Sequence, residues 1–188
     1  HMLKKIILPL VALAAVAFPS SALKYRGMVD ISPALEYPHD YESYHSDYIE
    51  DYGYDEVRVS LSVSTTHGMQ LSKNHFIGIG GEFSRILGGN YKEKGGIPVY
   101  AMWRMDFFGY RWTPFFDLRA GYTLGKGSGL YAAADVGVRL ALGRRSGLNF
   151  SLGGRSRRIY YTLGRFINEE LFVNTNSYAL TLRIGIDF

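Results

Sequence analysis

Hydrophobic and polar positions alternate strictly in the closing stretch SYALTLRIGIDF. Tyr178, Leu180, Leu182, Ile184, Ile186 and Phe188 fall on one side of an extended chain, and Ala179, Thr181, Arg183, Gly185 and Asp187 on the other. Side chains of a strand alternate with period 2, so one face is apolar and the other small or charged. The same division recurs upstream. LKYRGMVDIS sets Tyr25, Gly27, Val29 and Ile31 against Lys24, Arg26, Met28 and Asp30, and VRVSLSVST sets Val57, Val59, Leu61 and Val63 against Arg58, Ser60, Ser62 and Ser64. FIGIGGEF, IPVYAMWRMDFF, PFFDLRAGYTL, LYAAADVGVRLAL and LNFSLGGRS follow the same rule. The pattern predicts eight strands of about ten residues, the smallest standard size of a membrane-spanning barrel, and no long helix.

The connections sort by side. With both termini inside, Tyr37 to Tyr54, Leu87 to Gly96, Gly125 to Gly129 and Ile159 to Asn176 are expected on the outer side. His67 to His75, Gly109 to Thr113 and Gly143 to Gly147 then form the inner turns. The two longest loops are outer ones, as in membrane barrels.

Alternation does not say which face is inside, because a soluble ligand-binding barrel would invert the assignment. The glycines decide: Gly78, Gly80, Gly121, Gly137, Gly153 and Gly185 accompany the charged face. A solvated face has no need to be small, whereas the bore of an eight-stranded barrel is only just wide enough for side chains. The expected interior therefore carries Arg26, Arg58, Arg104, Arg119, Arg139, Arg155 and Arg183 with Asp30, Glu82, Asp106, Asp117, Asp135 and Asp187. The two signs nearly cancel, which matters because an unpaired buried charge costs several kcal/mol. One Arg turned outward at the bilayer midplane would cost roughly 2 to 4 kcal/mol.

Composition adds a compartment. Lys4 and Lys5 precede an apolar run from Ile6 to Phe18 and then Pro19, Ser20, Ser21 and Ala22, the layout of a secretory signal peptide cleaved after Ala22. The run is too short for a transmembrane helix. Residues 1–22, including a cloning scar at His1 and Met2, are expected to leave a barrel domain of residues 23–188. There is no cysteine, hence no disulfide and no thiolate metal site. The arginines are spread singly along strands, which argues against a nucleic-acid partner.

The segments IPVYAMWRMDFF, PFFDLRAGYTLG, LYAAADVGVRLAL and TLRIGIDF, the last with its terminal aromatic residue, carry a resemblance that spans Leu23 to Phe188. The chain resembles the small outer-membrane β-barrel domain proteins of the OmpA/OmpX-like class. The resemblance implies insertion in the bacterial outer membrane and roles in envelope integrity, adhesion or host contact. It transfers no active-site residue.

The most unusual stretch is YPHDYESYHSDYIEDYGYDE. Tyr37, Tyr41, Tyr44 and Tyr48 have helical spacing, Tyr52 extends the set, and Asp40, Glu42, Asp47, Glu50 and Asp51 make the stretch acidic. Tyrosines give large amphipathic contact area at low entropic cost, so a partner surface is one reading. A hard-cation site is another, although no cation-loop motif is present. The plain alternative is a solvated loop with tyrosines resting at the membrane interface. Lys92, Lys94 and Lys126 could meet lipopolysaccharide phosphates or simply solubilise the surface. GYTLGKGS is one residue short of a phosphate loop, and GIGGEF lacks the strand-to-helix context of a dinucleotide fingerprint. His39, His45, His67 and His75 assemble no nucleophile, base and orienting group by spacing.

The sequence thus reads as an all-β, eight-stranded antiparallel up-and-down transmembrane β-barrel, monomeric, with a plugged interior and no enzymatic activity, cofactor or metal. Its expected partners are outer-membrane lipid and lipopolysaccharide, with a host or envelope protein meeting the outer loops. A narrow channel or small-ligand transporter is the alternative, and an outer-membrane protease or lipid-modifying enzyme the third.

Overall fold

The computed structural model describes residues 24–43, 57–87, 92–93, 96–109, 111–125, 128–143, 146–166 and 169–188. The expected leader, 1–22, lies outside them. The elements in chain order are β1 (Lys24–Ser43), β2 (Arg58–Gln70), β3 (His75–Leu87), β4 (Lys92–Glu93), β5 (Ile97–Asp106), β6 (Trp112–Leu124), β7 (Gly129–Ala141), β8 (Gly147–Phe166) and β9 (Glu169–Asp187). Each long strand pairs antiparallel with its neighbours, β3 pairs directly with β5, and β1 and β8 both pair with β9. The eight long strands therefore form a closed wall without edges, the arrangement a bilayer demands of a strand protein. β4 is a short rung on β8, Lys92 opposite Thr162 and Glu93 opposite Tyr161.

The two faces fall where the alternation puts them. Ile79 is 68% exposed on the outside, whereas Phe76 and Tyr100, at 0% and 1%, fill the bore. Aromatic residues gather at both heights of the exterior. Tyr25, Trp103, Trp112 and Phe188 are exposed near the termini, and Tyr37, Tyr122 and Tyr178 near the opposite end. At about 3.3 Å per residue and a tilt of roughly 40°, Tyr25 and Tyr37 on β1 are about 30 Å apart along the barrel axis, the thickness of a hydrocarbon core. A band of exposed Val, Leu, Ile and Phe lies between them.

Three expected connections are corrected. The outer loop expected from Tyr37 does not begin there, because β1 continues to Ser43 against β9, with Tyr37 opposite Tyr178 and Ser43 opposite Val173. The loop expected at Ile159 to Asn176 is largely strand: β8 and β9 stay paired up to Phe166 opposite Glu169, with an irregularity between Thr162 and Gly164. On the inner side the turn expected from His67 shrinks to residues 71–74, since β2 runs to Gln70. β1 passes through Pro33 and loses only the β9 pairs between Ile31–Ile184 and Ala34–Thr181, where a residue without N–H cannot donate.

Candidate functional site

The bore is the only place where the fold gathers chemistry-bearing groups from every long strand among the described residues. Interior positions of β1, β2, β3 and β5 through β9 supply it, and its polar groups form three bonded clusters along the axis.

Nearest the termini, Arg26 meets Asp106 at 3.0 Å and Asp187 at 3.2 Å, and Arg139 meets Asp187 at 2.7 Å. Arg104 lies 3.0 Å from Asp106 and donates to Asn149 at 2.7 Å, while Asn149 donates to Asp187 at 3.1 Å. The Arg104 guanidinium also lies over the Phe115 ring, 3.4 Å from its centroid, so a desolvated cation rests on an aromatic face.

At mid-height, Arg119 on β6 reaches Asp30 on β1 at 3.3 Å and faces Asp117 at 3.5 Å. Arg183 pairs with Asp135 at 2.7 Å and approaches Asp117 at 4.0 Å, and Thr181 donates to Asp135. Small residues make this fit. A methyl group at Gly185 would strike the Asp30 carboxylate, and one at Gly153 would strike Asp135.

Toward the outer end, Arg155 on β8 binds Glu82 on β3 and Glu36 on β1, and Arg157 joins Glu36 at 2.9 Å. Ser60 and Ser177 donate to the same Glu36 carboxylate, and Tyr131 donates to Glu82. The Tyr131 and Tyr100 rings stack 5.5 Å apart. Together with Met28, Phe76, Met102 and Ala133 they form an apolar block inside the bore.

Every residue of the expected charge set lies on the bore face, Arg58 included at the outer end of β2. Two members were missing from it: Glu36 and Arg157, both nearly fully buried. Continuing the alternation of Asp30 through Ser32 and Ala34 would have reached Glu36, and that of Arg155 would have reached Arg157. Both were hidden because their segments read as the ends of strands.

The surface candidates are dispersed. Tyr37 is exposed on the outer face of β1 beside Tyr178. The side chains of Tyr41 and His39, and the whole of Tyr44, His45, Tyr48 and Tyr52, lie outside the described residues, as do Lys94 and Lys126. His67 faces outward, its ring nitrogens 2.6 Å from the Tyr25 hydroxyl and 2.9 Å from that of Thr65, while His75 stacks on Trp103. Neither histidine opens into the bore. Among the described residues no three His, Asp or Glu side chains converge to hold a metal ion.

No protein-family model matches the sequence, and no curated protein matches it. By fold the chain is similar to Neisserial surface protein A (NspA), known from a crystal structure, at 14% sequence identity and a TM-score of 0.50 over 86% of this chain and 97% of that one. A further match is outer membrane protein AlkL, solved by solid-state NMR in lipid bilayers, at 11% identity and a TM-score of 0.48 over 87% of this chain and 88% of that one. A closed eight-stranded wall, lipid-facing apolar residues between two aromatic belts and an ion-paired bore together give this chain the fold of a small bacterial outer-membrane barrel.

Proposed function

We propose that the protein is a non-conducting, monomeric outer-membrane anchor whose interior is a structural plug and whose outer extension presents a contact surface for a host or envelope protein. The observation that carries the reading is bonding straight across the bore. Around the ring β6 stands opposite β1, and β8 opposite β3. Arg119 bonds Asp30 across the first diameter, and Arg155 bonds Glu82 across the second. With the Tyr100–Tyr131 stack between these clusters, a hydrated ion would have to break several buried charge pairs to pass, each worth several kcal/mol if left half-paired. A channel needs an open path along the bore; at these two heights the charged groups bond to one another across it.

The outer extension supports the display role. β1 continues to Ser43 beyond Glu36, its last pairing with β2, a rise of roughly 20 Å. β8 and β9 continue alongside as a paired hairpin. The acidic, tyrosine-rich residues 44–56 follow directly in the sequence on this extended part of β1.

Planar-bilayer recording on the purified barrel tests the plug: the expected result is no steady, resolvable conductance, and a stable unitary current would overturn it. Cell-binding by the intact barrel against a version with residues 44–56 replaced by Gly/Ser tests the display role, with loss of binding expected on replacement and unchanged binding counting against it.

A further inference from the structure

The bore opens, at the end where the chain enters and leaves the wall, into a cavity of about 730 Å³. Positive charge dominates its lining. Lys24 and Lys73 are exposed at its rim and form no ion pair among the described residues, and Arg26 and Arg139 stand behind them. Against these four cations stand the carboxylates of Asp106 and Asp187, both already engaged by arginines, and the α-carboxylate of Phe188, the last residue of the sequence given. Arg26 is not saturated either: Nη1 and Nε serve Gln70, Asp106 and Asp187, while Nη2, buried, has no hydrogen-bond partner.

Two residues of its lining also face the outside of the wall. Tyr25 and Phe188 belong to its lining, yet both rings are exposed on the lipid side, where Phe188 lies over Gly27. One edge of the cavity is therefore cationic and faces the bore, and the other is aromatic and faces the acyl region. A free phosphate would use only the first. A molecule carrying a phosphate on hydrocarbon chains would use both, with ammonium groups acting as point charges on the phosphate and aromatic rings at headgroup depth.

We propose that this mouth binds the phosphate headgroup of an anionic phospholipid from the adjoining leaflet, held by Lys24, Lys73 and Arg26 with its chains passing over Tyr25 and Phe188. The site is distinct from the outer extension and does not depend on what that extension contacts.

The test uses the intact barrel in phosphatidylcholine nanodiscs containing a minority of phosphatidylglycerol, with retained lipid identified by native mass spectrometry. The parent is expected to retain phosphatidylglycerol over phosphatidylcholine by roughly thirtyfold, from the attraction of two surface lysines to anionic lipid. A Lys24→Gln/Lys73→Gln variant should fall to near parity, and Lys24→Arg/Lys73→Arg should keep the preference. Both pairs leave the buried network untouched, and heat-modifiable gel mobility verifies folding. Absence of a preference in the parent, or a preference unchanged in the Gln variant, overturns the proposal. So does glycerol phosphate binding the detergent-solubilised barrel as tightly as the lipid, which would assign the mouth to a soluble anion.

Discussion

Arg119 and Asp30 meet at 3.3 Å although they sit on strands at opposite ends of a barrel diameter, β6 and β1. Arg119 also bonds the Tyr100 hydroxyl and Ser64 and faces Asp117, so one side chain ties four strands. Arg119→Met is expected to destabilise the barrel by about 3 to 5 kcal/mol, because it leaves buried carboxylates uncompensated. Adding Asp30→Asn should restore part of the loss. Urea unfolding in detergent micelles, followed by tryptophan fluorescence, checks both; a single variant as stable as the parent would remove the network's structural role.

Bore-facing and lipid-facing glycines should differ in their response to a methyl group. Gly185→Ala forces a methyl group against the Asp30 carboxylate, an overpacking expected to cost roughly 1 to 3 kcal/mol. Gly154 meets nothing nearer than the Ala179 carbonyl at 4.0 Å, so Gly154→Ala should be close to neutral. Equal losses at the two sites would contradict the placement of faces.

Charge on the outer surface should be penalised by depth. Val63, exposed mid-strand on β2, lies within the apolar band, whereas Leu87 ends β3 at the outer rim. Val63→Arg is expected to cost roughly 2 to 4 kcal/mol and Leu87→Arg at most about 1 kcal/mol. Equilibrium folding into liposomes measures the difference, and the reverse order would mean that this surface does not meet hydrocarbon.

Both tryptophans of the chain, Trp103 and Trp112, are exposed on the exterior near the inner rim. Their fluorescence should be quenched strongly by lipids brominated close to the headgroup and weakly by lipids brominated at the chain end. Quenching by a water-soluble agent to the extent seen for a free indole would place the rings outside the bilayer.

How far the sequence could be read follows the bilayer itself. β5, β6 and β7 were legible because each stays within the hydrocarbon slab, where every second residue must be apolar. The extensions of β1, β8 and β9 were not. Outside the slab no face has to be greasy, so Tyr37–Ser43, Ile159–Phe166 and Glu169–Asn176 lose the alternation while keeping their backbone pairing. β-branched and aromatic residues at Ile159, Tyr160, Tyr161 and Thr162 were the remaining signal. The inward direction of each arginine could be read, but not its partner. Whether Arg155 meets Glu82 or Asp135 depends on the stagger of the strands around the ring, which no single strand encodes.

The junction of β1 with β9 bears on how such a wall is made. It joins Met28 to Asp187, nearly the whole length of the chain, and until it forms, two rows of backbone amides remain unsatisfied in an oily medium that offers them no alternative donor or acceptor. Because so distant a union is slow to find and its absence is so unfavourable, insertion and folding become a single event: a half-assembled wall has no resting place in the bilayer.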